Sequence, residues 1–213
     1  MTMLQRFARR SAAMSLACAG LLSLGAPAHA APKIDQKAPA FVGIDTKGKE
    51  VRLSDLRGKT VVLEWTNHDC PFVAKHYRTG NMQALQKKYG GTDVVWLSVI
   101  SSAPGTQGHV SPAKADELTS SRDAKPTAVL LDPKGTIGRM YKARTTPHMY
   151  VIDPEGVLRY MGAIDNKPTT RDADVKRAKN YVKAAMTKLT AGAPVDPSVT
   201  RAYGCSVKYG PSS

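Results

Sequence analysis

The chain predicts an α/β fold: a mixed central sheet with helices on both faces and a β-hairpin extension at its N-terminal end. Three observations carry that reading. The largely apolar runs Thr60-Val-Val-Leu-Glu-Trp65 and Asp93-Val-Val-Trp-Leu-Ser-Val-Ile100 read as buried central strands. Each precedes a segment of helical character, and strand–helix–strand–helix order calls for a sheet covered on both sides. Two turn-rich links, Thr46-Lys-Gly-Lys49 and Asp153-Pro-Glu-Gly156, join short strands into hairpins.

The first hairpin pairs Phe41–Ile44 with Val51–Leu53, and Ser54–Gly58 follows as a short helical turn with Ser54 as its cap. After the strand Thr60–Thr66, a helix is expected from Pro71 to about Tyr89, with proline tolerated in its first turn and Gly80 as a weak point. The second strand ends at Ile100, and Ser101–Gly108 forms a loop. A helix begins near Ser111-Pro112 and fades around Ser120, Thr127–Leu131 is a strand, and Gly135–Ala143 is a short helix. Met149–Ile152 and Val157–Met161 flank the second hairpin turn. Val175, Ala178, Val182, Ala185 and Leu189 recur at three- and four-residue spacing, which predicts a closing helix with Thr169 or Thr170 as cap and Gly192 past its end. Residues 193–213 form a Pro-, Ser- and Gly-containing tail that carries Cys205.

The first thirty residues read as a cleaved export signal. Arg6, Arg9 and Arg10 precede an apolar run from Ala12 to Leu24, which ends in Ala28-His29-Ala30 and is too short to span a bilayer. Residues 31–192 then make one domain, long enough to bury its own core. The formal charge of +14, less the three signal arginines, leaves +11 beyond the signal. The lysines are scattered over helix faces without a dense tail or an aromatic stripe, and with the export signal this argues against nucleic acid. The expected location is the periplasm, with no stable membrane insertion after cleavage.

Two cysteines remain outside the signal, Cys70 and Cys205, 135 positions apart. Cys70 lies in Thr66-Asn-His-Asp-Cys-Pro-Phe-Val73, where a buried strand gives way to a helix. At such a junction the unpaired N–H groups and the helix dipole favour thiolate over thiol. Glu64 interrupts an otherwise apolar strand six residues earlier, and burial should raise its pKa. A buried structural cysteine and a solvated glutamate are the plainer readings of the same residues.

The entry Val51-Arg-Leu-Ser-Asp-Leu-Arg-Gly-Lys59, the Cys70-Pro-Phe-Val73 turn and Thr145-Thr-Pro147 before a hairpin together resemble the thioredoxin superfamily over about residues 38–189. Within it the chain is similar to the redoxin branch that holds the peroxiredoxins and exported thiol–disulfide proteins. The resemblance implies a thioredoxin-like fold and a redox role for Cys70 as the attacking thiol, with Glu64 moving its proton. It makes Pro147 a cis-proline beside Cys70, and Thr146 a backbone edge for substrate. Pro71, Asn67 and His148 join the expected substrate-binding residues. Val73 stands where thioredoxins carry the second cysteine of Cys-x-x-Cys, so release of a mixed disulfide falls to Cys205 or to an external thiol. Cys205 is either that resolver or a cysteine buried by a docked tail strand.

The peroxiredoxin signature places Pro and Thr seven and three residues before the cysteine, where this chain has Leu63 and Asn67. Efficient peroxide reduction is therefore not expected, and slow reduction remains open to an accessible thiolate. The expected partners are a protein or small-molecule thiol or disulfide, with peroxide as a further substrate and no cofactor. The alternative is a copper chaperone or partner-binding module on the same scaffold, prompted by His68, Asp69, Cys70, His76 and His148, since imidazole with thiolate suits copper or zinc; a single thiolate would make that metal site weak.

Overall fold

A computed structural model describes residues 31–211. The export signal expected over residues 1–30 lies outside the described residues. The N-terminal hairpin is formed by β1 (Val42–Asp45) and β2 (Glu50–Arg52). Next comes a 3₁₀ turn over Leu53–Leu56; Ser54 does not cap it but lies inside it, its hydroxyl bonded to the Asp55 carboxylate. The core then runs β3 (Thr60–Trp65), α1 (Pro71–Arg78), α2 (Asn81–Tyr89), β4 (Val94–Ile100), α3 (Pro112–Ser121), β5 (Ala128–Leu131) and α4 (Thr136–Met140). It continues through β6 (Thr145–Thr146), β7 (His148–Ile152), β8 (Leu158–Gly162), α5 (Tyr181–Thr190) and β9 (Cys205–Ser206).

Seven strands form one sheet in the order β2-β1-β5-β4-β3-β7-β8. The apolar runs sit at its centre, where β3 pairs in parallel with β4, and β4 with β5. The hairpin strand β7 pairs antiparallel with β3, and Trp65 lies opposite His148. The two-residue period of a strand divides these residues cleanly. Val61, Leu63, Trp65, Tyr150 and Ile152 pack on one face with Ile137 of α4 and Tyr141, which caps its C-terminus. Val62, Trp96, Met149 and Val151 pack on the other with Val73, Met82 and Leu85 from α1–α2 and Val182, Ala185 and Met186 from α5. Burying these side chains on both faces supplies the main drive for folding, about 25 cal/mol per Å² of apolar surface.

Two expected helices differ from the sequence reading. The helix expected over residues 71–89 is two helices, because Gly80 adopts φ +70°, a left-handed conformation that ends one and starts the other. The closing helix begins only at Tyr181, capped by the Asn180 side chain, which accepts from the Lys183 N–H. Residues 172–177 form a separate 3₁₀ turn. The cause lies outside the segment: Asn180 bridges Asp165, and the Tyr181 N–H donates to the Ile164 carbonyl at 2.9 Å, so the backbone is drawn into extended pairing.

The tail packs back onto the domain. Val199 bridges Met161 at the β8 edge, β9 pairs antiparallel with β6, and the Lys208 carbonyl accepts from the Ala103 N–H at 2.8 Å. Tyr209 hydrogen-bonds the Ala143 carbonyl at 2.8 Å, with Arg139 over its ring.

Candidate active site

Cys70 caps the N-terminus of α1. Its φ of −79° and ψ of 119° are extended, its carbonyl accepts from Ala74 N–H at 2.8 Å, and Pro71 opens the helix from an exposed position. The turn before it is built by Asn67, whose carbonyl accepts from the Cys70 N–H at 3.1 Å and whose side-chain oxygen accepts from the Asp69 N–H at 2.9 Å. The other end of the Asn67 amide donates to the Gln107 carbonyl, and Gly108 lies flat against it. Asn67 is thus buried and committed to shaping the turn.

The Thr146–Pro147 bond is cis, as the resemblance implies, and the Thr146 carbonyl accepts from the Cys70 thiol at 3.0 Å. On the other side of Thr146 stands Cys205, its direct partner in the β6–β9 ladder. Cys70 and Cys205, 135 positions apart in the chain, therefore converge on Thr146; both are free thiols. Cys70 is 0% exposed beneath this strand.

Burial alone would push the Cys70 thiol up. It is outweighed by donors aimed at the sulfur: the Cys205 thiol, the Thr146 hydroxyl, and the backbone N–H groups of Cys205 and Val73. The net result is a pKa below the free value. Cys205 moves the opposite way, pushed up to about 11 by burial, by its hydrogen bond to Cys70 and by the charge there. The two shifts favour Cys70 as the ionised acceptor of the pair and Cys205 as its protonated donor.

Glu64 is 0% exposed on the α1 side of β3. Its carboxylate accepts from Tyr77 Oη at 2.8 Å, Trp96 Nε1 at 2.8 Å, Ser98 Oγ at 3.2 Å and Gln86 Nε2 at 3.5 Å. Burial holds its pKa above the ordinary carboxylate range despite these donors. Neither cysteine is among its partners. Tyr77 and Ser98, both bonded to Glu64, also line a cleft shared with Thr66, His68 and Arg122.

His148 does not join the site. Its pairing with Trp65 turns it to the α4 face, where it lies 4.6 Å from the Tyr150 ring centroid and accepts from the Arg144 N–H. Burial and Arg144 push it down to about 4, so it is neutral. The substrate-binding role expected for it has no geometric support, because Cys70 is on the opposite face. Among the described residues no three His, Cys, Asp or Glu side chains gather as a metal-binding group.

Sequence reasoning passed over Lys75 on α1 and weighed His76 only as a surface or packing residue or as one of the histidines behind the metal alternative. Lys75 and His76 are both 0% exposed, and with Phe72 they surround Tyr203 of the tail. The signal that could have found them is the aromatic two residues before Cys205.

Residues 34–161 match the AhpC/TSA family. A thioredoxin peroxidase of Echinococcus granulosus is 28% identical over 157 residues, covering 66% of this chain and 76% of that protein. The thiol-disulfide oxidoreductase ResA of Bacillus subtilis is 28% identical over 137 residues, covering 55% and 74% respectively. An uncharacterized conserved protein from Geobacillus kaustophilus superposes with a TM-score of 0.71 at 24% identity, over 85% of this chain and 94% of that one. With more than half of its length matched, a mixed sheet of the expected topology and a cysteine at the strand–helix junction, the chain belongs to the AhpC/TSA family of thioredoxin-like redoxins.

Proposed function

We propose that this protein is an exported, periplasmic thiol–disulfide oxidoreductase in which Cys70 attacks and Cys205 resolves. The observation that carries the reading is the meeting of the two thiols on either side of Thr146. The Cys70 thiolate attacks one sulfur of a substrate disulfide R–S–S–R, that bond breaks, and one thiolate leaves. The resulting Cys70 mixed disulfide carries no charge, so the hydrogen bond and the repulsion that added to burial in holding Cys205 protonated are gone. Cys205 then loses its proton to the departing group or to water and attacks Cys70 Sγ. The Cys70–Cys205 disulfide forms and the second RSH leaves, so one substrate disulfide is reduced as two protein thiols are oxidised.

Val73 replaces the resolving thiol of Cys-x-x-Cys, yet its N–H still serves the thiolate. Glu64, its pKa raised by burial, holds a proton more readily than a solvated carboxylate, with the cleft beside Tyr77 and Ser98 as its exchange route. Peroxide reduction is a slow side activity: Asn67 is bound up in the turn, and Leu63 faces the other side of the sheet. Metal chaperoning has less support, since the His148–Cys70 ligand pair is not assembled.

The test uses the mature chain with Cys70→Ser and Cys205→Ser variants in an insulin-reduction assay. Non-reducing peptide mapping follows oxidation by a small disulfide. A linked Cys70–Cys205 peptide and loss of activity in Cys70→Ser are expected. Full activity in Cys70→Ser, or two separate adducts with no linked peptide, would overturn the reading.

A further inference from the structure

Cys205 belongs to a tail strand only two residues long, too short to hold a sulfur in place by its ladder alone. What holds it is found two residues earlier. Tyr203 inserts its ring against α1, the same helix that Cys70 caps, with Phe72 edge-on at 5.8 Å and Lys75 Nζ 5.4 Å from the ring centroid. Its hydroxyl donates to Asp165 Oδ1 and lies 3.3 Å from His76 Nε2. Asp165 is itself buried and fixed by the Lys167 N–H at 2.9 Å. Between the latch and the sulfur stands Gly204, with φ +131° and its backbone pressed on the Thr146 carbonyl. Tyr203 and Cys205 therefore form a rigid step measured from the nucleophile's own helix.

We infer that Tyr203, seated on Asp165, is the positioning residue for the resolving step, setting the reach of Cys205 to Cys70 without touching either sulfur. The inference rests on the Cys70–Cys205 cycle proposed above. Removing the hydroxyl leaves the ring on Phe72 but releases the hydrogen bond that ties the tail to the buried Asp165 carboxylate. Such bonds are among the strong ones, and losing one is expected to lower the effective concentration of the Cys205 thiol at Cys70 by about tenfold or more.

The experiment follows the reaction of the reduced mature chain with 5,5′-dithiobis(2-nitrobenzoate), which releases one aromatic thiolate at attack and a second at ring closure. In the wild type both are released, and the product has lost two hydrogens with no adduct. In Tyr203→Phe the first release is expected to be no slower, because a looser tail uncovers Cys70. The second should slow by tenfold or more, with the mixed disulfide accumulating. A readout that general destabilisation would not mimic is thiolate absorbance at 240 nm. With folding confirmed by circular dichroism, the Cys70 titration midpoint should rise toward that of Cys205→Ala, because the Cys205 donor is no longer held. Asp165→Ala, which removes the oxygen that accepts from both Tyr203 and Lys167, should reproduce the same split, with its folding checked in the same way. Unchanged second-phase rates in both variants, while the wild type closes its disulfide, would overturn the positioning role. A wild type that ends as two adducts would instead overturn the cycle beneath it.

Discussion

Gly204→Ala tests how tightly the tail strand covers the nucleophile. Gly204 adopts φ +131°, where an L-residue is strained by about 1–3 kcal/mol, and an added Cβ would overlap the Thr146 carbonyl oxygen. Opposing this are the two β6–β9 residue pairs, the Val207 N–H to Arg144 carbonyl bond at 3.0 Å and the Tyr203 hydroxyl bond. The overlap falls on Thr146, the partner of Cys205 in that ladder, and is absent once the tail undocks, so the penalty falls on the docked state. A midrange penalty of about 2 kcal/mol raises the undocked population about thirtyfold, at 1.4 kcal/mol per factor of ten. Cys70 is 0% exposed, so alkylation requires undocking and its rate tracks that population when reclosing is fast. The measurement is iodoacetamide labelling of Cys70, read by mass, in a Cys205→Ser background so that only one thiol reacts. An increase of about thirtyfold is expected for the Gly204→Ala chain. Labelling rates within twofold of each other would refute the claim that this strand seals the site.

Three further outcomes follow from the buried charges. Glu64→Gln should keep the network, its oxygen accepting from Trp96, Ser98 and Gln86 and its amide donating to the Tyr77 oxygen. A carboxyl whose folded pKa is raised stabilises fully below its unfolded value and loses that contribution as pH rises, so this variant should melt higher than wild type above about pH 4.5. The same variant should turn over at least tenfold more slowly if Glu64 carries the proton, a split that thermal melts and insulin reduction read separately. His76 and His148 are pushed down to about 3 and about 4 by burial, aided by Lys75 and Arg144 respectively. Their contributions are intact above the unfolded histidine pKa and are lost as pH falls from about 6.5 toward those values, at about 1.4 kcal/mol per unit for each ring. Denaturant melts should show this acid slope, and His148→Phe should flatten its upper part while leaving the Cys70 attack rate within twofold. Finally, the attack rate should plateau with a midpoint below the free-thiol value of about 8.5. Cys205→Ala should move that midpoint up, since it removes the first of the donors that favour the thiolate; an unmoved midpoint would show that the thiol contact is not what ionises Cys70.

The elements whose causes are local were readable from the chain. Apolar runs at residues 60–65 and 94–100 contain within themselves what makes them central strands, and Asp153-Pro-Glu-Gly156 carries its own turn chemistry. The placement of Cys70 at a strand end and helix start follows from the same local signals. Helix boundaries were less legible: Gly80 showed its weakness but not the complete break, and the start of α5 is set by Ile164 and Asp165, well outside the periodic segment.

What the sequence by itself determined is an α/β redoxin with one cysteine at a helix mouth, because strand, turn and helix preferences act over a few neighbouring residues. Tertiary structure alone decided which side of the sheet each functional candidate faces. His148 follows Pro147 directly, yet its pairing with Trp65 sends it to the opposite face from Cys70. Tertiary structure alone also brought Cys205 to Thr146 and Tyr203 to Asp165, contacts that join positions 59 and 38 residues apart. No local preference encodes such pairings, since the loop closure they need is stabilised only when the whole domain has packed.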